Sequence, residues 1–126
     1  MRIIQAIALT LVAAVSVSAA TPVGGDWEGI IKVQNQDLRL VLHVKEAAGK
    51  LTATFDSPDQ YVAGMPVDSI ELKGQQFVFE IKRILSIYSG TVDKDGKAIS
   101  GSWSQLGMSL PLNFKKAAPV KKEFPR

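Results

Sequence analysis

The chain has 126 residues, with 15 Lys and Arg against 12 Asp and Glu, a single histidine and no cysteine. That length sets one domain, and the missing thiols exclude a disulfide framework and leave a structural zinc site nothing to build on but His43 and carboxylates. The net charge of +3 belongs to the ends: residues 115–126, "KKAAPVKKEFPR", hold five positive charges against one negative, whereas residues 21–114 carry nine Lys and Arg against eleven Asp and Glu. A mildly acidic body with no aromatics interleaved among its basic residues excludes nucleic-acid binding.

In chain order, residues 1–20 read as a signal peptide: Arg2, the apolar run "IIQAIALTLVAAV", then the small residues "SVSAA". The apolar run is too short to serve as a bilayer anchor, so cleavage is expected after Ala19 or Ala20, giving a secreted or periplasmic product with no membrane span. Residues 21–116 form the expected domain, and 117–126 a basic, disordered tail.

From Trp27 onward the apolar residues recur with period two, the signature of half-buried strands. "WEGIIKV" turns Trp27, Ile31 and Val33 to one face. "DLRLVLHVK" turns Leu38, Leu40, Leu42 and Val44 inward and Arg39, His43 and Lys45 outward, and "LTATF" contributes Leu51, Ala53 and Phe55. "VDSIEL" is a weaker fourth strand. "QQFVFEIKR", "IYSGTV", "AISGSWSQ" and "MSLPLNF" follow, with Phe77, Phe79, Ile81, Tyr88, Val92, Ile99, Trp103, Leu110, Leu112 and Phe114 inward.

Tight turns join these strands at "EAAGK", "KGQ" and "DKDG". A calcium loop starting at Thr91 would need glutamate at position 102, which is Ser102. Between the third and fourth strands, "SPDQYVAGMP" spells a single helical turn over about 57–63. Ser57 is the expected N-cap, Pro58 the first helical residue and Gln60 the capping-box partner, with Gly64 ending the turn. Eight short consecutive strands predict an all-β, up-and-down antiparallel barrel or flattened clam, with a β-sandwich as the alternative. The aromatic volume on the inward face favours a filled interior.

In such a meander the loops after odd-numbered strands emerge at one end. Parity therefore gathers Asp56, Asp59, Gln60, Tyr61, Met65, Arg83, Ile84, Leu85, Gln105, Leu106 and Met108 on one rim, the candidate surface for a ligand or a partner. Ile84 and Leu85 either join an exposed apolar patch there or fold back to plug the mouth. A catalytic triad would have to recruit Ser57, His43 and Asp59, yet His43 lies in mid-strand facing outward, where a solvated surface residue is expected. Asp56 and Asp59 could alternatively act as paired carboxylates or help hold calcium, although a tight turn offers no sugar-sized gap between them. No cofactor set and no metal centre is spelled out by the sequence.

"GDWEG" (25–29) has the Gly-x-Trp shape that opens lipocalin-like barrels. Over residues 25–116 the longer pattern, "GDWEG…LRLVLHV…LTATFDSPDQ…MPVDSI…FVFEI…YSGTVDKDGKAISGSWSQLGMSLPLNF", resembles the small all-β domain that precedes the catalytic domain of many secreted bacterial α/β-hydrolases of the esterase type. The nucleophile elbow of those enzymes, Gly-x-Ser-x-Gly, occurs nowhere in these residues. The resemblance thus implies a non-catalytic accessory or interaction domain, with a separately encoded hydrolase as partner. Two other readings stand beside it: a lipocalin-like binder of a small apolar ligand and, remotely, a hydrolase using Ser57.

Overall fold

The computed structural model describes residues 23–117, so the expected signal peptide, and the expected basic tail beyond Ala117, lie outside the described residues. Nine antiparallel strands make one continuous sheet: β1 (Gly25–Val33), β2 (Gln36–Ala47), β3 (Lys50–Ser57), β4 (Val62–Pro66), β5 (Ser69–Lys73), β6 (Gln76–Ile81), β7 (Ser86–Val92), β8 (Ala98–Gln105) and β9 (Met108–Lys116). Their spatial order, β4-β3-β2-β1-β9-β8-β7-β6-β5, is that of a meander whose first and last strands pair. The sheet curls into a half-barrel, as the alternation requires; the two-sheet sandwich is not formed.

The ninth strand corrects the expected helix. Within residues 57–63 only Pro58–Gln60 is helical, as one 3-10 turn, and the chain is extended again from Val62. Strands β4 and β5 stand at opposite edges, eight antiparallel steps apart, so they run in the same direction with only Val67 and Asp68 between them. The handover takes two adjacent residues: the Val67 N–H donates to the Ala53 carbonyl (3.1 Å) and the Asp68 N–H to the Glu80 carbonyl (2.9 Å). Residues 62–73 are thus one bent strand, paired first with β3 and then with β6, that ties the two edges of the sheet together. The expected eight strands are thus nine: β4 is the addition, and "VDSIEL" overlaps β5, the second half of the bent strand.

One half of the interior is filled. Trp27, Phe77, Phe79, Tyr88, Val92, Ile99, Leu112 and Phe114 are buried, with Phe79 in ring contact with Phe77, Tyr88, Trp103 and Phe114 at centroid separations of 5.2–6.4 Å. Burying one such ring contributes roughly 1.5–3 kcal/mol, which makes this cluster the main source of cohesion in a chain without disulfides. The Trp27 indole N–H donates to the Val23 carbonyl (3.0 Å) and closes the base. The expectation of a filled barrel holds for this half alone.

Candidate functional site

Four connections emerge at the other end, as parity requires: Gln34–Asn35, Pro58–Tyr61, Lys82–Leu85 and Leu106–Gly107. Beneath them the interior is an open cup of about 520 Å³. Its walls are Ile31 and Val33 from β1, Leu38 and Leu40 from β2, Phe55 from β3, Val62 and Met65 from β4, and Met108 and Leu110 from β9. Trp103, stacked on Phe55 at 5.4 Å, belongs to the same lining and borders the aromatic cluster below. The volume falls in the roughly 300–1,000 Å³ span of small-molecule sites, which pair apolar walls with few polar groups.

The cup's polar side chains are Ser57, Gln60 and Gln105, and each is engaged. The Ser57 hydroxyl donates to Gln60 Oε1 (2.6 Å) instead of capping the turn, which has no side-chain cap. Gln105 accepts the Trp103 indole N–H (3.0 Å) and donates to the Ile84 carbonyl (2.8 Å), pinning the β6–β7 loop across the mouth. Among the described residues no charged side chain lines the cup.

Three lip residues share an unusual backbone. Tyr61, Leu85 and Leu106 have φ of 58°, 55° and 49°, a left-handed region that costs a side-chain-bearing residue roughly 1–2 kcal/mol and that Gln34 and Asn35 at the same end, and Ala48 in a turn at the opposite end, also adopt. Tyr61 and Leu85 each close a three-residue 3-10 turn, Pro58–Gln60 and Lys82–Ile84, by donating their N–H to its first carbonyl. All three side chains are exposed, at 97%, 64% and 75%. Strain of this kind gathers at sites of function, where surrounding structure sustains it.

The remaining rim candidates separate. Ile84 and Met108 line the cup, with Ile84 packed against the core, whereas Leu85 is exposed, so the pair 84–85 divides between the two expectations. Arg83 is exposed on the 3-10 turn and takes no part in the lining, because the chain leaves strand geometry at Lys82. Asp56 and Asp59 belong to the outer wall and do backbone work. Asp59 accepts the Arg39 N–H (2.9 Å), and Asp56 accepts the Gly64 N–H (2.7 Å) at the bulge where β3–β4 register shifts.

The triad of Ser57, His43 and Asp59 is not assembled. Ser57 is buried facing the cup, whereas His43 lies on the outer face. His43 is no simple solvated residue either. Its Nδ1 sits 2.8 Å from Asp26 Oδ1 and its Nε2 2.8 Å from Asp56 Oδ2, so one imidazole bridges β1 and β3 from β2. Partial burial works against its charge, but the hydrogen bonds and charges of Asp56 and Asp26 outweigh this and hold its pKa above 6.5. Burial likewise opposes the ionisation of Asp56, and the Gly64 N–H and His43 overcome it, holding that carboxyl below its usual value. Among the described residues no group of carboxylates and histidine is arranged to hold a metal ion.

Hairpin arithmetic was the missed signal for this cluster. A two-residue turn pairing Val33 with Gln36 sets Asp26 opposite His43, and one pairing Ala47 with Lys50 sets Asp56 one diagonal step beyond. A second concavity, about 720 Å³, runs along the outer face at the β1–β9 seam, where only three residue pairs join the strands. Three of its four cations are engaged, Lys32 with Asp37 (3.5 Å), Arg39 with Glu28 (3.9 Å) and Lys116 over the Trp27 ring (5.1 Å), and the fourth, Lys115, lies opposite Glu28 in the strand register. It is a solvated wall, and the apolar cup is the stronger candidate site. Comparison with known family models and with curated proteins finds no match to this chain. Among the described residues no helix is long and apolar enough to cross a membrane.

Proposed function

We propose that the domain is a secreted, non-catalytic binder that takes a small apolar ligand into the mouth of its half-barrel. One observation carries this reading: an open 520 Å³ cup whose walls are apolar and whose polar side chains are already paired with protein groups. A ligand entering it gains by removing apolar surface from water and loses no hydrogen bond the wall still needs. A charged group pushed to the bottom would find no partner, so the buried end of the ligand is neutral. The engagement of both His43 nitrogens by Asp26 and Asp56, and of the Ser57 hydroxyl by Gln60, favours a binding role over hydrolysis.

The neutral fluorophore N-phenyl-1-naphthylamine tests the proposal. Saturable binding at one site per chain is expected, and Leu110→Trp, which fills the cup, should abolish it while the domain still melts cooperatively. Absence of saturable binding by the unaltered chain would refute the proposal.

A second reading, the accessory domain implied by the resemblance to hydrolase-associated β-domains, draws on the lip. Tyr61, Leu85 and Leu106 present apolar surface in strained loops, as a docking edge for a separately encoded hydrolase would. Co-purification with a hydrolase, lost in Leu85→Ser with Leu106→Ser but retained in Leu110→Trp, would favour docking over ligand uptake.

A further inference from the structure

We propose that Asp26, His43 and Asp56 form a proton-operated clamp that sets how firmly β4 closes the side of the cup. The inference rests on the cup being the binding site and concerns its regulation. The weak point is β4 itself. Among the described residues it is a sheet edge with β3 as its only ladder partner, and just three residue pairs join them: Thr54 with Pro66, Phe55 with Met65 and Ser57 with Val62. The register breaks between Phe55 and Ser57, which removes the ladder bond that Asp56 would have helped to form.

A side chain replaces it. The Gly64 N–H, in the middle of β4, donates to Asp56 Oδ1 at 2.7 Å. Gly64 holds a φ of 71°, so its amide is aimed by a turn in the strand that other residues adopt at a cost. Val62 and Met65, on either side of Gly64, are the β4 contribution to the cup wall. The carboxylate of Asp56 therefore connects the outer face directly to the lining.

The other oxygen of Asp56 belongs to His43. A protonated imidazole has two N–H donors, enough to serve Asp26 and Asp56 at once, and both distances are 2.8 Å. A neutral imidazole has one, so one carboxylate then faces a lone pair, and the cluster's charge goes from −1 to −2. Asp56 loses a fixed orientation when that happens, and the bond to Gly64 loses its alignment. The surroundings leave few other charges to intervene. Among the described residues, on β1 they are Asp26 and Glu28; on β2, Arg39, which faces Glu28, and Lys45; on β3, Asp56; on the 3-10 turn, Asp59, bound to the Arg39 N–H; on β9, beside Asp26, Lys115, opposite Glu28, and Lys116, over the Trp27 ring; β4 carries none. His43 is the chain's single histidine and the chain has no cysteine, so among side chains a proton event near neutral pH has one address.

Two measurements on the full chain, from about pH 5.5 to 9 where imidazole titrates, test the clamp. The first is the affinity for N-phenyl-1-naphthylamine, whose own charge does not change there. The second, made without probe, is the hydrogen-exchange protection factor of the Gly64 amide. Both should fall together as His43 loses its proton, followed by its imidazole NMR signal, with affinity dropping on the order of fivefold. In His43→Gln the step should vanish, although the protein still folds. A Gly64 protection factor that stays level through the His43 titration overturns the clamp. A falling protection factor beside a level affinity overturns its control of the cup. If the probe binds at no pH, the binding-site reading fails, and Gly64 exchange still decides whether the clamp exists.

Discussion

Tyr88 shows how single atoms fix this interior. Its hydroxyl crosses the core to donate to the Leu112 carbonyl (2.8 Å), and burial pushes its pKa up, keeping it a donor at any physiological pH. The hydroxyl has room because Gly90 and Gly101 lie opposite each other on β7 and β8. A Cβ at Gly101 would stand 2.7 Å from the Tyr88 oxygen and 2.2 Å from the Ser89 carbonyl oxygen, a backbone atom that cannot swing aside. Gly101→Ala is therefore expected to cost about 3 kcal/mol, read as a lowered denaturation midpoint; an unchanged midpoint would mean Tyr88 sits elsewhere. His43 makes the second residue-scale prediction, with a definite sign. Its folded pKa lies above 6.5, so its stabilisation is complete below about 6.5 and is lost as pH rises through the folded value. Asp56 is shifted down, so its contribution is present above about 3.8 and is lost as pH falls through its folded value. Melting temperature should accordingly be highest between those limits and decline on the alkaline side by a one-proton step. A decline of the same shape in His43→Gln would assign the step to another group.

At the scale of elements, the loops of the lip exchange stability for exposure. Leu85 and Leu106 hold left-handed backbone that glycine would adopt freely. Replacing both by glycine relieves roughly 1–2 kcal/mol of strain at each site, part of which returns as unfolded-chain entropy. The double variant should melt at or above the temperature of the unaltered protein, yet bind probe or partner more weakly. A lower melting temperature would show that these side chains support the core after all. The strands themselves were open to reading because alternation depends only on which face is buried. Leu38, Leu40, Leu42 and Val44 turn toward the core as their spacing requires, and β8 begins and ends at the residues expected, Ala98 and Gln105. Strand β4 was hidden by its own chemistry. "SPDQ" carries every letter of a capping box, and Gly64 and Pro66 read as terminators. In the folded chain Ser57 turns inward to Gln60, Tyr61 reverses the chain, and Gly64 and Pro66 sit within an edge strand that tolerates both. The pairing energy that decides the matter comes from β3, which local sequence does not contain.

For the molecule as a whole, the division of the barrel into a packed half and an open half is what function depends on. Parity placed the loops at one end correctly, but it could not show where the aromatics stop filling the interior. Trp27 and Trp103 mark the two regimes. Trp27 lies at the base, opposite Leu42 and Lys116, inaccessible to solvent and tied to Val23. Trp103 is nearly as buried, but it lines the cup and is held there by Phe55 and Gln105. Trp27→Phe and Trp103→Phe each remove buried volume and should cost roughly 1–3 kcal/mol. They should differ in binding. A void left by Trp27 is sealed within the packed half, so affinity for N-phenyl-1-naphthylamine measured well below the melting temperature stays as it was. A void left by Trp103 opens into the cup, deepens it, and releases Gln105 from the indole and with it the anchor of Ile84 across the mouth. Affinity for the probe changes in that variant alone, and bulkier apolar probes gain relative to smaller ones. Equal changes in the two variants would mean that the interior is one continuous space, and that the boundary drawn at Trp103 does not exist.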